Sequence, residues 1–514
     1  MTSAGAFLPA QPSATGDLLR APTRLGLGAL VSGAVVLPLL FVPWSQHTFA
    51  APKLTAAVVV TLVGLIAAAS VAHRWHPVAL VDIPLALWLL ALLLATAVSI
   101  DPLTSIHGQF PEYDGVLSSG VAIGGFAIGR VVLNGQSMLV WLRAAAVTGA
   151  VVALYAVLQA AGIDPVWDSV AGERTFATLG QPNSLAAYLI LTTPLTATVV
   201  FASKHQTRWA WLMTLQIAGL LTTMSRAGFL AAAVAAVVFV AAVGQRRTMT
   251  MRTVAPLAVL VVVGLVAVPG IRTNFSGAAS RAVSVVDGDN GSIRQHLALW
   301  NVAIAATEAR PWLGSGPGLF PDVYAEFSAS VLDDADRALL GEFRPESAHS
   351  VPLTIMSGSG LPALAVYLAF AAAVLSLGFR SLKHVSAARR TILAGLLAAS
   401  AGHLTTDLFM TAEVTSTWLF WVSLGAVVAL AGDGGRRTKP RPAVAAGSEP
   451  SDGRRKTTPD TCGHVFESLD EGGVAAQTRA PLAQTYTCRP IGIAAGSSEP
   501  AASRSEIKTT RTHR

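Results

Sequence analysis

Apolar runs of about 17–25 residues recur along the chain, each long enough to cross a bilayer as a helix. They fall near Leu25–Val42, Leu54–Ala72, Val81–Val98, Ser118–Leu133, Leu139–Ala161 and Ser184–Ala202. The series continues near Trp209–Met224, Ala227–Val243, Val254–Ile271, Val351–Leu377, Ile392–Met410 and Ser416–Leu430. The pattern predicts an all-α, polytopic membrane protein of about twelve transmembrane helices. One long polar stretch, residues 272–350, separates the ninth run from the tenth. It has no counterpart after the third run, which argues against a six-plus-six repeat. Residues 1–24 read as a short N-terminal segment and 25–431 as the membrane domain. Residues 432–514 are rich in Gly, Pro, Ser, Thr and charge without a sustained apolar period, so a disordered tail is expected.

Only 13% of the 514 residues are charged and 52% are hydrophobic, whereas soluble chains carry roughly 25% charged residues. The formal net charge of +7 does not mark a nucleic-acid binder, because the basic residues cluster in short loops between apolar runs. Those clusters alternate. Arg20 and Arg24, Arg74, Lys204 and Arg208, Arg246, Arg247 and Arg252, and Arg380, Lys383, Arg389 and Arg390 occupy one set of loops. Lys53, Arg174 and Arg226 stand nearly alone in the other. By the positive-inside rule both termini are expected in the cytoplasm and the long loop outside. The two cysteines, Cys462 and Cys488, lie in the tail, so neither a disulfide framework nor a cysteine metal site is supported. The N-terminus lacks a signal-peptide pattern, and the first run is expected to remain as a helix.

With that orientation four polar motifs share the external face. The first is Arg174-Thr-Phe-Ala-Thr-Leu-Gly-Gln-Pro-Asn183, and the second is Met224-Ser-Arg226-Ala-Gly228. The third runs from Ile293-Arg294 through Trp300 to Pro311-Trp-Leu-Gly-Ser-Gly-Pro-Gly318, and the fourth is Ser347-Ala-His349-Ser350. Taken singly each has a plain reading: snorkelling arginines, a helix start at Pro182-Asn183, a polar residue at a helix boundary. Two outward arginines nonetheless run against the charge bias and ask for an anionic partner. Gly314–Gly318 lacks the Lys-Ser/Thr of a nucleotide loop, so that reading is rejected. Ile293, Leu297, Trp300, Ile304 and Thr307 follow helical spacing and are expected to form the buried face of a short helix, with Arg294 either solvated or facing phosphate. Asp287-Gly-Asp289-Asn290 opens like a calcium loop but has Ser292 and Ala298 where Gly and Glu are needed, so it reads as loop polarity.

The ordered set resembles the O-antigen ligase and polymerase superfamily of bacterial polysaccharide assembly. The resemblance rests on Arg174…Asn183, Ser225-Arg226-Ala227, Arg294…Trp300, Pro311…Phe320 and His349-Ser350, in that order. An early loop, Ser99-Ile-Asp101-Pro102 through Gly108 to Asp114-Gly115, is similar as well, and the match covers about residues 25–430. Ser350 departs from the pattern, where Asn is commoner. The resemblance implies a GT-C-like glycosyltransferase of the cell membrane. It would move a glycan from an undecaprenyl-pyrophosphate carrier to a hydroxyl on a glycan or lipid acceptor, without nucleotide sugar, metal or cofactor. It also implies roles: Arg174 and Arg226, with Arg294, as pyrophosphate ligands, Asn183 and Ser225 in substrate binding, and His349 as base or acceptor-orienting group. The chemistry suits them, since arginine offers planar bidentate donors to a departing pyrophosphate and histidine accepts a proton at neutral pH. Ligase and polymerase remain open. A transporter is the rival of another class, but it would carry ionisable groups at mid-membrane, and His403 and Asp407 are the main such residues.

Overall fold

The computed structural model describes residues 21–168, 170–244, 273, 276–277, 291–341 and 345–434. The predicted ninth span, the calcium-like segment, the start of the long loop and most of the tail lie outside the described residues. Within them the protein is all-helical, as its apolar runs require: a chain in lipid must satisfy its backbone polar groups internally. The helices are α1 (Ala21–Leu39), α2 (Ala50–Ala69), α3 (Ala79–Ala97), α4 (Pro102–His107), α5 (Val116–Val132), α6 (Gly135–Ala160), α7 (Pro182–Ala202), α8 (Gln206–Thr222) and α9 (Arg226–Val243). After the long loop follow α10 (Gly291–Ala309), α11 (Phe320–Val331), α12 (Asp334–Leu340), α13 (Val351–Ser381), α14 (Ala387–Asp407) and α15 (Val414–Gly434).

Every predicted span except the ninth coincides with one of these helices. Among the described residues, 7 are long and apolar enough to cross a membrane: α2, α3, α6, α7, α9, α13 and the Val414–Gly432 part of α15. Thr23–Leu39 and Val116–Val132 are shorter apolar helices. The helix α14 carries Arg389, Arg390, His403 and Asp407, which lower its apolar character.

The core is built on small residues. On α2, Ala57, Thr61, Gly64, Ala67 and Ala68 are buried, while Val59, Leu62 and Ile66 point out. Close backbone approach, with bulky groups left to lipid, is how helices associate where no water drives them together. The helix α5 lies along α15, α14 along α7 and α9, and α13 along α3. Polar glue sits inside: Gln216 Nε2 donates to Ala146 O (2.8 Å), and Trp418 Nε1 donates to Thr61 Oγ1 (3.0 Å).

Two ends of the bundle differ. At one, Arg130 is buried in an ion pair with Asp82, also donates to His76 O, and lies over the Trp75 ring at 4.0 Å. Arg390 Nε donates to Ala242 O (2.7 Å) at the same end. The other end gathers the motif-bearing loops, and hydrogen bonds chain them together. Tyr113 Oη meets His47 Nδ1 (2.8 Å), Thr178 Oγ1 donates to Pro38 O (2.5 Å), and Ile100 N donates to Ser315 O (3.1 Å). The shared sidedness expected from the sequence is therefore a contact relation.

The run read as a continuous helix from Val351 is broken. Gly360 sits at φ 85°, dividing α13 into a short N-terminal piece and a long remainder. The Gly-rich segment fills the break. Ser315 N donates to Ser357 O (3.0 Å), Gly316 N to Gly358 O (2.8 Å), and Leu361 N to Pro311 O (2.8 Å). A Cβ on Gly314 would collide with the Gly358 backbone, and one on Gly360 with Trp312 O. The glycines are needed for backbone-to-backbone contact, which accounts for the motif without phosphate. Arg310 clamps the segment, bonding Ser315 Oγ (2.9 Å) and both carboxylate oxygens of Glu326.

The buried face of α10 also differs from expectation. Ala298, Leu299, Val302, Ala303 and Ala306 are buried against Phe320, Val323, Leu332 and Ala348. Leu297 and Ile304, expected inside, are exposed. The small residues allow close approach to α11 and α13, and that outweighs the larger apolar area of the other stripe.

Candidate functional site

The first two motifs form one bonded group. Arg174 follows α6 and a loop held by Gln159, whose Oε1 accepts from Ala177 N (2.7 Å). Its Nε donates to Thr223 O (2.9 Å), in the turn before α9, and its Nη2 donates to Asn183 Oδ1 (3.0 Å), in the first turn of α7. The same Asn183 oxygen accepts from Ser225 Oγ (3.0 Å). Ser225 is the N-cap of α9, its Oγ accepting from Gly228 N (3.2 Å). Arg226 is the first residue of that helix. Two arginines thus stand at a helix N-terminus, where backbone N–H groups and the helix dipole already favour an anion. These two bonds of Arg174 go to uncharged oxygens.

His349 belongs to a second group. Its backbone N donates to Ser347 Oγ (3.1 Å), and its ring lies 5.5 Å from that of His296 on α10. The Nε2 of His296 is 3.3 Å from Phe409 O. Burial, with the charge of His296 second, pushes His349 down to about 4. The imidazole is therefore neutral at pH 7, though a weaker base than an ordinary histidine. Arg294 is in neither group. It is half-exposed and held by Asp336 Oδ1 (2.6 Å) and Asp333 Oδ2 (3.5 Å).

Backbone strain collects in these loops. Among the described residues, the non-glycines with positive φ are Tyr113 (53°), Ala177 (46°), Met224 (49°) and His349 (47°). Each lies in or beside a motif, and such strain persists only where the surroundings over-determine it.

Two neighbouring cavities open beside these loops, and neither is lined by Arg174, Arg226 or His349 themselves. One cavity of about 900 Å³, open mouth included, is lined by Glu112, Asp114, Ser347, Val351, Glu413 and the aromatic rings below them. A neighbouring one of about 780 Å³ is lined by Gln181 and Ser184, which flank Pro182-Asn183. They share Glu112, Tyr113 and Glu413 as a common wall. Arg174 lines a third hollow, with Trp167 and Phe176, and neither Arg226 nor Arg294 lines any of these three.

The acidic wall is what sequence reasoning largely missed. Burial, then a hydrogen bond to Glu346 and the charges of Glu346, Asp114 and Glu413, hold Glu112 well above the usual carboxylate range. Burial pushes Asp114 up to about 6. Lys53 Nζ, fully buried, lies 3.7 Å from Glu413. Asp114 and Glu346 were legible only as polar residues of the right face. Glu413 could have been found as an acidic residue isolated between two apolar runs, opposite the lone Lys53.

No curated protein matches the chain. Residues 210–368 match a family model described as O-Antigen ligase. The matched stretch includes Ser225-Arg226, Arg294…Trp300, the Gly-rich segment and His349-Ser350, while Arg174 and Asn183 lie before it. Over that stretch the chain is similar to the O-antigen ligase family.

Proposed function

We propose that the protein transfers a glycan from an undecaprenyl-pyrophosphate carrier to an acceptor hydroxyl on the external face of the cell membrane, as a GT-C-type enzyme without a metal. The observation that carries the proposal is the Arg174–Asn183–Ser225 group beside Arg226 at the start of α9. Arg226 and Arg174 hold the pyrophosphate. The acceptor oxygen attacks the anomeric carbon as the bond from that carbon to the pyrophosphate oxygen breaks. His349, neutral at pH 7, takes the hydroxyl proton. Charge growing on the leaving pyrophosphate is met by the guanidinium donors. Asn183 and Ser225 position Arg174 and the α9 turn. Arg294, engaged with Asp333 and Asp336, can serve only by exchanging those partners for phosphate.

The orientation is part of the proposal. It rests on the basic residues at the end opposite the motifs, and Cys462 and Cys488 provide a native probe of it. A membrane-impermeant thiol reagent should leave both unlabelled in intact cells, and external labelling would reverse the orientation. The activity is tested by the glycolipid profile of cells lacking the protein. Long polymer accumulating on lipid indicates ligation, single repeat units indicate polymerisation, and an unchanged profile refutes both.

A further inference from the structure

We propose that the chamber between Glu112, Asp114 and the rings beneath them binds the acceptor as an uncharged, hydroxyl-rich sugar and excludes anionic sugars. The inference rests on the transfer reading above and names the substrate class of that site. The chamber opens toward the motif loops and narrows onto the rings of Trp88, Tyr367, Trp418 and Trp421. Ser347 and Val351, on either side of His349 in the chain, form part of its wall, so a guest here lies on the acceptor side of the site.

Two independent observations point to a polar guest. The first is the carboxyl wall of Glu112, Asp114 and Glu413. The second lies deeper. Trp88 Nε1 and His403 Nδ1 are buried, in side chains 5% and 3% exposed that line the chamber, and neither atom has a hydrogen-bond partner. A polar nitrogen left unanswered in a buried wall is costly and asks for a partner. A sugar supplies one: its hydroxyls accept from Trp88, donate to carboxylate oxygens, and its C–H faces meet Tyr367 and Trp418. Electrostatics sets the selection. Lys53 compensates Glu413, but among the described residues no Lys or Arg lines the chamber to offset Glu112 and Asp114. A uronic acid would bring a further carboxylate against them in a low-dielectric pocket, an arrangement that suppresses wrong ligands.

The test is saturation-transfer NMR on the purified full-length protein in detergent, with methyl glucoside, methyl N-acetylglucosaminide and methyl glucuronide as probes. At pH 7 the two neutral glycosides should receive saturation and the glucuronide should receive roughly tenfold less or none. Glu112→Gln with Asp114→Asn should weaken the neutral signals and raise the glucuronide toward them. Thr354→Phe, which fills the chamber from another wall, should abolish all of them. Glucuronide binding equal to glucoside in the unmodified protein overturns the proposal and needs no variant. Neutral signals that survive Thr354→Phe overturn it too. Farnesyl pyrophosphate in the same samples separates this from the parent reading. Its signal should persist in Thr354→Phe and vanish in Arg226→Ala, and persistence in Arg226→Ala refutes the pyrophosphate assignment whatever the glycosides do.

Discussion

Asn183→Asp separates a structural role for the arginine group from an electrostatic one. The substitution keeps the side-chain shape and the oxygen that accepts from Arg174 Nη2 and Ser225 Oγ, both at 3.0 Å. It converts a charge–dipole contact into an ion pair, so the loop and the α9 turn should hold at least as well. The Ser225 bond changes class, since hydrogen bonds to charged groups are worth about 1.5–3 kcal/mol against about 0.5–1.5 kcal/mol for neutral ones. The new charge, however, sits beside the proposed pyrophosphate. At about 6 Å and an effective dielectric of about 20, each facing phosphate charge is repelled by roughly 3 kcal/mol, or about a hundredfold in affinity. Membrane abundance and detergent melting temperature should stay at or above the parent values, while transfer from lipid-linked glycan falls by about two orders of magnitude. Undiminished transfer at equal abundance would show that the charge of Arg174 is not used on an anion. A collapse in abundance would show that the group tolerates no charge and is structural.

Other expectations follow from the same geometry. Arg226→Lys keeps the charge but loses the planar fork, so transfer at equal abundance should drop by at least about tenfold; normal turnover would make Arg226 an interfacial anchor. His349→Ala should lower kcat while leaving binding of lipid pyrophosphate nearly intact, and parallel loss of both would contradict a role confined to the acceptor step. Because folding lowers His349 from 6.5 to about 4, the neutral base form persists as pH falls below 6.5 and is lost only on approaching 4. The rate should therefore hold through pH 6.5, apart from a shallow change near 6 as Asp114 gains a proton, and a single midpoint at 6.5 would refute a buried base. Gly360→Ala places a Cβ at φ 85° against Trp312 O. It should cost about 1–2 kcal/mol from the backbone alone and lower the melting temperature, whereas an unchanged value would mean that the Gly-rich segment does not lock α13.

Much of the bundle was legible because lipid imposes a simple demand, long apolar continuity, on each span. The motif loops were legible because Arg174 and Arg226 run against the charge bias. What escaped were features set by contacts between distant segments. Glu112, Glu346 and Glu413 come from three separate loops and share no local spacing, so no motif announces the acidic wall. The break at Gly360 lies inside an unbroken apolar run and becomes visible only with the Gly-rich segment docked on it. The face of α10 was misjudged because bulk was weighed above close packing: Ala298, Val302 and Ala306 go inside, and Leu297 and Ile304 do not. Arg294 was read for its charge alone, although Asp333 and Asp336 stand in the next short helix to hold it.

Reconstitution bears on glycosyl transfer most directly. The purified protein would be placed in proteoliposomes with an undecaprenyl-pyrophosphate-linked oligosaccharide on the motif-exposed face, an acceptor glycolipid and a chelator. Release of undecaprenyl pyrophosphate in step with a glycosylated acceptor or a lengthened lipid-linked glycan is the predicted result, absent in Arg226→Ala. Movement of intact lipid-linked oligosaccharide across the bilayer, with no pyrophosphate released, would contradict transfer and identify a transporter.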